Sequence, residues 1–446
     1  MSVEFPAELR GLVAQVQGNV HSQPQQAIAS ARALLKLIER PEHLAYTYEQ
    51  LGFAHLVLGE HRLSCLFYEQ ALALEPGNFY ALANMAHAQY ELGSRETAVW
   101  TGRRAMRLKD EHACALASAG PSGTERPGVP HGGTLQLVSF SLYGSQPRYC
   151  EMAVLNVLAV RRHLPDFVCR FYMDDTVPPA IVERLQTLGA QCVPVRDRQA
   201  VVPPKFWRFW AMDDPQADCV LVRDADALID AREAWCVSRW RESGAACHVI
   251  RDDCCHTELL LAGLIGVRAG AVRDVGARML RHALEAGDAA RGRYADQIFL
   301  RSLWPCLKQD MLTHDSIYAF GPGLQPLAYS PQDDEGPRNA FMGANHATCE
   351  LTMSAAARAD ESVVPEVALK DSAGTLICSY PMTADPMNGA GGIVTWRITL
   401  PYIYLEPLQT GRWHCDIADH PLDARRPGEG CIDAAVLGFA AAATGR

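Results

Sequence analysis

Two aspartates follow a short apolar run near the middle of the chain. Residues 219–222 read CVLV, which is typical of a buried strand, and Arg223, Asp224, Ala225 and Asp226 come next. Strand side chains alternate, so Asp224 and Asp226 are expected on the same side of an extended chain. Two carboxylates so close repel each other unless a cation lies between them. Hard divalent ions such as Mg²⁺ or Mn²⁺ prefer oxygen ligands and bridge to phosphate oxygens. The pattern therefore predicts a clamp for a metal and a diphosphate, with a solvated loop as the alternative.

Other catalytic patterns are missing from the sequence. It has no Walker A or G-x-G-x-x-G phosphate loop, no G-x-S-x-G elbow and no H-E-x-x-H helix. The stretch CHVIRDDCCH, residues 247–256, has the residue types of a zinc site. Its spacing matches no known tetrahedral motif, and adjacent cysteines on a turn seldom chelate one ion, so zinc is not expected there. Within this stretch, Asp252 and Asp253 follow a predicted strand and could face an acceptor substrate.

The aspartate pair must be positioned by the elements around it, and these alternate between strand and helix. Strands are predicted in TLQLVSFSLYG, FVCRFYMDD, QCVPV and ADCVLVRDAD, and helices in RYCEMAVLNVLAVRRHL, PPAIVERLQTLGA and PPKFWRFWAMDD. This alternation predicts a mostly parallel sheet covered on both faces. Ligands of such sheets bind beyond the carboxyl ends of the strands, which is where Asp224 and Asp226 are expected.

Residues 1–117 show a 34-residue period. Gly52 and Ser64 are small enough for two helices to approach, Tyr68 would fill the space between them, and Pro76 would end the second helix. A shift of 34 residues places small or apolar side chains at matching positions. The segment resembles a tetratricopeptide repeat (TPR) array, with a helical bundle without repeats as the alternative. Residues 118–133, rich in Gly, Pro and Ser, predict a linker, so a chain that begins near Gly132 is expected to fold without the array.

From residue 345 onward the pattern changes again. Residues 363–382, 391–405 and 411–419 indicate strands separated by turns, so residues 345–446 predict a small antiparallel β-domain, a sandwich with a tail. Trp396 and Trp413 are expected in its core. The predicted fold class is thus multidomain α/β: TPR-like helices, a central domain over residues 134–344, and the β-domain.

The central domain resembles glycosyltransferases of the GT-A fold, in particular bacterial ones that also carry TPR units. The resemblance rests on the order of LVSFSLYG, FYMDD, PKFWRFWAMDD, VLVRDADALI, YADQIFLRSLWP and THDS, and it covers residues 134 to about 320. It departs from the family pattern at Ala227, where a small polar residue is expected. In this fold the first strand and its loop hold the nucleotide, and the Asp-x-Asp motif holds the metal and the diphosphate.

The resemblance assigns roles to particular residues. Asp224, Asp226 and, in THDS, His314 would be metal ligands for Mn²⁺ or Mg²⁺, with an ordinary packed histidine as the alternative for His314. Lys205 and Arg208, three apart on one helix face, would counter the charge that develops on the diphosphate, as would Arg223. Ser139 and Tyr143 end the first strand, and Tyr143 could stack on a nucleobase. Asp296 could cap a helix or act as a base toward the acceptor. Each basic or loop residue could equally belong to an ordinary solvated surface.

Apolar residues make up 48% of the chain and charged residues 21%, which is ordinary for a soluble protein with a well-formed core. The net charge of −10 over 446 residues does not favour nucleic acid. The absence of a signal-peptide pattern and the fifteen scattered cysteines predict reduced thiols and a cytoplasmic location. The expected function is transfer of a sugar from a nucleotide-sugar donor to a protein or glycan acceptor, which the repeats could present. The alternatives are a scaffold with an inactive transferase domain and a nucleotidyltransferase; the latter would favour a Gly-rich basic loop near the first strand.

Overall fold

A computed structural model of the chain describes residues 3–119, 133–196, 201–329, 341–356, 363–384, 393–421 and 427–430. Within these ranges the chain has a helical N-terminal part, a central part built on a large sheet, and a C-terminal part of two small sheets. Most of the predicted linker and the Ala-rich tail lie outside the described residues. In the described ranges, no helix is both long enough and apolar enough to cross a bilayer.

The N-terminal part consists of paired antiparallel helices. Those described are α1 (Arg10–Asn19), α2 (Pro24–Leu35), α3 (Pro41–Val57), α4 (His61–Leu74), α5 (Phe79–Glu91) and α6 (Arg95–Ala119). Gly52 of α3 lies against the ring of Tyr68 of α4, where an added Cβ would come within 2.8 Å of the ring. Tyr68 and Ser64 are fully buried. The small and aromatic residues therefore make the helix contact that their spacing predicts.

The central sheet has eight strands among the described residues. They are β1 (Leu135–Leu142), β2 (Phe167–Met173), β3 (Gln191–Pro194), β4 (Ala217–Val222), β5 (Cys247–Arg251), β6 (Ile265–Arg268), β7 (Met311–Asp315) and β8 (Leu324–Gln325), in the order β3-β2-β1-β4-β6-β5-β7-β8. Strand β6 runs antiparallel to both of its neighbours, and the other pairs are parallel. The sheet is thus mostly parallel, as predicted, with one reversed strand beside β4.

Helices cover this sheet and connect its strands. They are α7 (Pro147–His163), α8 (Pro179–Thr187), α9 (Ala231–Ser243), α10 (Val275–Ala286) and α11 (Ala295–Leu307). The segment Pro204–Asp213, predicted as an α-helix, is a 3₁₀ helix that begins with two prolines at 203 and 204. It packs against β1 and β4, so its side chains reach the carboxyl end of both strands.

Helix α6 belongs to two cores at once. Its Ala105 packs with the repeat helices, whereas the adjacent Met106 packs with the central domain. The buried Lys109 ammonium lies 2.6 Å from Glu258 of the central domain, and Arg301 binds the same carboxylate at 3.0 Å. Because removing one partner leaves a buried charge uncompensated, these pairs hold the two parts together. This packing is at odds with the expectation that the array separates from the rest at residue 117.

The C-terminal part forms two three-stranded antiparallel sheets in the described residues. Strands β9 (Thr348–Ala356), β10 (Val363–Asp371), β11 (Leu376–Pro381), β12 (Thr383–Ala384), β13 (Ile393–Pro401) and β14 (Trp413–Pro421) pair as β11-β10-β14 and β12-β13-β9; α12 (Leu405–Gln409) precedes β14. Trp413 is buried and Trp396 partly buried against the core. The fully buried Glu151 of α7 accepts hydrogen bonds from Tyr380 and Tyr404 at 2.5 and 2.7 Å. The C-terminal sheets therefore pack on α7.

Candidate active site

A cleft of about 490 Å³ lies beyond the carboxyl ends of β1 and β4. Its walls come from the loop after β1, the start of α7, the 3₁₀ helix, the loop after β4, the start of α11 and residue 345. The polar and aromatic side chains that line it are Ser141, Tyr143, Tyr149, Lys205, Arg208, Asp224, Asp226, Arg293, Tyr294, Asp296, Gln297 and Asn345. Six residues predicted to act on donor, metal or acceptor thus share one cleft: Tyr143, Lys205, Arg208, Asp224, Asp226 and Asp296.

Asp224 is held between a guanidinium and a glycine. Its Oδ1 accepts a hydrogen bond from Arg208. Its Oδ2 faces Gly263, where an added Cβ would lie 2.0 Å away. The side chain is 39% exposed, so one edge of the carboxylate is open to the cleft. A residue larger than glycine at 263 would therefore displace this carboxylate.

Asp226 lies deeper in the same cleft, with 15% of its side chain exposed. Burial raises its pKa, and the nearby Asp224 charge raises it further. The Arg148 guanidinium lies 3.4 Å from Asp226 Oδ2. Each aspartate of the pair therefore has an arginine beside it, whereas the sequence predicts repulsion that needs a metal cation.

A buried amide fixes the loop that carries this pair. Asn156 of α7 donates from Nδ2 to the carbonyl oxygens of Ala225 (3.2 Å) and Ala227 (2.8 Å). Its Oδ1 accepts from the backbone N–H of Ile229 at 3.3 Å. Since Asn156 is fully buried, these carbonyls would lose their partner if the amide were removed. Asn156 thus sets the path of the chain between the two aspartates and α9.

Arg208 links the carboxylates of two different elements. Its Nη2 donates to Asp296 Oδ2 at 2.9 Å, and its Nη1 donates to Asp224 and to the carbonyl of Arg223. Burial opposes its charge, but the two carboxylates outweigh burial and raise the pKa of Arg208. The Arg208 side chain is 5% exposed. It therefore acts from the wall of the cleft and sets the positions of Asp224 and Asp296.

Asp296 is the second residue of α11, and Tyr294 occupies the N-cap position. The helix therefore does not use the Asp296 side chain as its N-cap. Its Oδ1 accepts from the backbone N–H of Gln297 at 3.0 Å. Burial raises the pKa of Asp296, partly offset by the charge of Arg208. A carboxylate with raised proton affinity thus lines the cleft near Asp224.

Lys205 and Ser139 support the walls. The Lys205 ammonium donates to the carbonyl of Gly292 at 2.5 Å and lies 3.4 Å from those of Arg291 and Arg293, so it holds the loop before α11. Ser139 is fully buried, and its hydroxyl donates to the carbonyl of Arg208 at 2.7 Å. Ser139 therefore positions the 3₁₀ helix and does not face the ligand space that the sequence predicts for it.

Tyr143 stands at the mouth of the cleft with 45% of its surface exposed. Its ring packs edge-on against Trp207, with centroids 6.1 Å apart. Trp207 also borders a neighbouring depression of about 950 Å³, together with Asp174, Asp175 and Arg291. The depression lies beyond the ends of β2 and β3, so an elongated ligand could extend into it from the cleft.

Arg223, His314 and Asp252 lie away from the cleft. Arg223 is buried, bonded to Glu233 (2.5 Å) and to the carbonyl of Ile265 (2.8 Å), so it cannot reach a leaving group as predicted. His314 is buried within β7, 2.8 Å from a ring nitrogen of His248; burial lowers its pKa to about 4. The predicted third metal ligand is therefore a neutral core residue.

Asp252 also lies outside the cleft, in the segment that follows β5. Its Oδ2 accepts from the backbone N–H of Met342 at 2.9 Å, and its own N–H donates to His256 at 3.2 Å. Burial raises the pKa of Asp252 to about 6. The residue fastens the segment after β5 to residue 342 and does not line the cleft, so the predicted acceptor-side role does not fit its position.

Comparisons with known proteins give distant structural likenesses. No family model and no curated protein matches the chain. One similar structure is the TPR2B domain of yeast Sti1 in a pHsp70 complex. The match has 17% sequence identity and a TM-score of 0.23, and it covers 25% of this chain and 89% of that chain. Another is a mutant O-GlcNAc transferase of Thermobaculum terrenum. This match has 15% sequence identity and a TM-score of 0.25, and it covers 45% of this chain and 44% of that chain. The chain thus spans under half of that transferase. Both TM-scores are below 0.5, and neither likeness identifies the reaction of this chain.

Several residues of the cleft escape sequence reasoning. Asn156 was signalled only by its polar type inside the apolar helix MAVLNVLAV, a pattern that indicates a buried hydrogen-bonding role. Gly263, within LLLAGLIGV, carries a weaker signal, since glycine in an apolar run indicates a close approach. Arg148, Arg293 and Asn345 have no distinguishing pattern, because only the fold brings Arg148 to Asp226 and the other two to the cleft.

Proposed function

We propose that this chain is a metal-dependent glycosyltransferase that uses a nucleotide-sugar donor. The observation that carries the proposal is the shared cleft: Asp224 and Asp226 meet Arg208 and Asp296 beyond the end of β4. Ligands of sheets of this type bind at that edge. Carboxylates suit a hard divalent ion such as Mn²⁺ or Mg²⁺, and Asp224 fits this role because Oδ2 faces glycine and part of the side chain is open. When bound, such an ion would stabilise negative charge on a diphosphate.

The residues of the chain would stabilise and orient the donor. Arg148, Lys205, Arg208 and Arg293 place four cationic groups around three carboxylates, so the cleft favours a negatively charged ligand. Fixed charges of this kind act on the transition state without reorganising. The exposed Tyr143 ring lines the cleft and packs against Trp207, which borders the adjoining depression, so a nucleoside would pass Tyr143 and occupy that depression. This division assigns the diphosphate to the cleft and the base to the larger space.

Asp296 is the residue that we assign to the acceptor. Its pKa is raised by burial, and a general base works best when its pKa approaches the working pH. It would take the proton of the acceptor hydroxyl as that oxygen attacks the anomeric carbon, while the nucleoside diphosphate leaves. Arg208 would hold the carboxylate in position through the 2.9 Å contact.

The helical array reaches the rim of this cleft. Arg293, which lines it, lies 3.1 Å from the His21 ring nitrogen in the loop between α1 and α2. We propose that a protein or glycan acceptor approaches along the array and enters the cleft at this contact.

One observation favours the alternative of an inactive scaffold. Arg208 already pairs with Asp224 and Asp296, so both carboxylates have a cationic partner without any metal. In that case, the cleft would keep its charge balance with no ion, and Mn²⁺ would add little to nucleotide affinity. The two proposals therefore differ in whether Mn²⁺ changes binding.

The test is calorimetry with nucleoside diphosphates and their sugars, with and without Mn²⁺. We expect Mn²⁺-dependent affinity in the wild type and its loss in Asp224→Asn/Asp226→Asn, while Asp166→Asn, an exposed carboxylate, behaves as wild type. Unchanged Mn²⁺ dependence in the double variant would refute the metal assignment.

Turnover separates the remaining possibilities. Asp296→Asn keeps the shape of the side chain but cannot accept a proton, so transfer should fall about 10²- to 10⁴-fold with donor affinity retained. Equal rates would exclude the base role. Metal-dependent binding without turnover of any sugar nucleotide would indicate a scaffold, and release of pyrophosphate in place of nucleoside diphosphate would identify a nucleotidyltransferase.

A further inference from the structure

Three side chains of metal-binding types meet where the helical array touches the loop after β5. His87 and Glu91 lie one turn apart on α5, and Cys254 comes from the loop. One ligand atom of each, the imidazole nitrogen, carboxylate oxygen and thiol sulfur, lies within 4.8 Å of the other two. None of the three lines the cleft described above. The cluster is therefore a separate feature of the molecule.

We propose that His87, Glu91 and Cys254 bind a zinc ion that joins helix α5 to the loop after β5.

The spacing of the ligand atoms fits a tetrahedral ion. Zinc lies about 2.0–2.3 Å from nitrogen, oxygen and sulfur ligands, which separates neighbouring ligand atoms by about 3.3–3.8 Å. In the structure, Glu91 Oε1 is 3.9 Å from both His87 Nε2 and Cys254 Sγ. The His87–Glu91 distance exceeds that of an ordinary N–H···O hydrogen bond. Small side-chain movements would therefore close the three groups around an ion.

The chemistry of the set selects zinc over the ions proposed for the cleft. A thiolate and an imidazole favour zinc, whereas magnesium and manganese favour carboxylate and carbonyl oxygens. One thiolate and one carboxylate would also balance the charge of a divalent ion. The Asp253 carboxylate, 3.6 Å from Cys254 Sγ, or a water molecule would complete the coordination.

The location gives the ion a structural role. Cys254 is 3% exposed, and its carbonyl accepts a hydrogen bond from Tyr318. The same loop continues to Glu258, which receives Lys109 from α6. A metal bridge from α5 would thus add a further connection between array and central domain, on a loop already held by α6. Because an ion that binds the folded state alone stabilises that state, zinc should raise the unfolding temperature.

The experiment uses the full chain, stripped of metal with a chelator and titrated with Co²⁺ and then Zn²⁺. We expect one Co²⁺ to bind with a thiolate-to-cobalt charge-transfer band, and Zn²⁺ to displace it. Cys254→Ser should abolish the band, and His87→Gln and Glu91→Gln should weaken Zn²⁺ binding at least ~10-fold, as loss of a ligand exceeds the effect of losing its supporting partner. Zinc should raise the unfolding temperature of the wild type, and less so in these variants.

Matched controls distinguish this site from others. Three control variants are used. Cys255→Ser changes the adjacent cysteine, His112→Gln changes an exposed histidine of α6, and Asp224→Asn/Asp226→Asn changes the cleft. All three should keep the charge-transfer band. A wild type without the band, or a band that survives Cys254→Ser, would overturn the proposal. If Cys254→Ser does not fold by circular dichroism, His87→Gln and Glu91→Gln decide, since both side chains are a third or more exposed; wild-type zinc affinity in both would refute the site.

Discussion

Gly263→Ala should disable the cleft while leaving the fold nearly intact. The new Cβ would lie 2.0 Å from Asp224 Oδ2, and ordinary van der Waals contact begins at 3.4 Å. The carboxylate must therefore move by about 1.4 Å. A misplacement of about 1 Å in a preorganised site can reduce function ~100-fold. We expect Mn²⁺ affinity in the presence of nucleotide to fall by about 10- to 100-fold.

The cost to folding should be small because the displaced atom is the end of a side chain that is 39% exposed. Asp224 can turn toward solvent, so the free energy of unfolding should fall by about 1 kcal/mol, the lower end of the range for overpacking. Gly266→Ala is the matched control. Its Cβ would come within 2.9 Å of Trp240 and 3.1 Å of Leu221, both fully buried. That variant should lose more, about 2–3 kcal/mol, and keep its Mn²⁺ affinity.

Urea denaturation and calorimetry measure the two quantities separately. The two variants should rank in opposite order in the two measurements. Gly266→Ala should be the less stable protein, and Gly263→Ala should bind Mn²⁺ more weakly. If Gly263→Ala binds Mn²⁺ as tightly as the wild type, the Asp224 carboxylate does not need the position that the structure gives it, and the reasoning fails.

Three further outcomes are expected. Asn156→Leu, which leaves two buried carbonyls without a donor, should lower the free energy of unfolding by about 2–4 kcal/mol in urea titrations and weaken Mn²⁺ binding; a loss of stability with unchanged affinity would contradict its role at the aspartate loop. Asp252 has its pKa raised from 3.8 to about 6, so the folded state binds its proton more tightly and stability is lost as pH rises from about 4 to about 6. The loss is at most about 3 kcal/mol at 1.36 kcal/mol per pH unit. Asp252→Asn should therefore match the wild type near pH 4 and exceed it at pH 7 in thermal melts; a constant difference across this range would exclude the effect. A chain that begins at Gly132 should be poorly soluble and partly unfolded by circular dichroism, whereas one that begins at Ser94 and keeps α6 should fold; equal behaviour would mean that α6 is dispensable to the central core.

Local pattern was enough to predict the elements that reach the cleft. The apolar run before Asp224 predicts a buried strand, and ligands of parallel sheets bind beyond the carboxyl ends of the strands, so the aspartate pair was expected at that edge. The 34-residue spacing of small and aromatic side chains likewise predicts the contact between Gly52 and Tyr68. Each of these inferences depends on residues that are near in sequence or on a regular period.

The side-chain positions that the sequence did not predict depend on contacts between different elements of the fold. Arg208 and Arg223 are the same residue type near the same strand, but Arg223 is drawn inward by Glu233 of α9, whereas Arg208 faces two carboxylates. His314 carries no local sign that His248 would lie beside it in the sheet. Strand β6 reverses direction after a long irregular segment, residues 252–264, which has no periodic pattern to indicate the turn.

Helix α6 packs in the core of the array and in the core of the central domain, and this has a consequence for biosynthesis. Gly102 lies against the ring of Tyr318, and Arg103 donates to the Tyr318 carbonyl. On the ribosome, the roughly 200 residues between Ala119 and Tyr318 take about 10–40 s to appear at about 5–20 residues per second. During this interval the nascent chain carries a finished helix whose Met106 face has nothing to cover it. The part of the chain that is made first therefore keeps an apolar helix face exposed until the residues around Tyr318 have been synthesised.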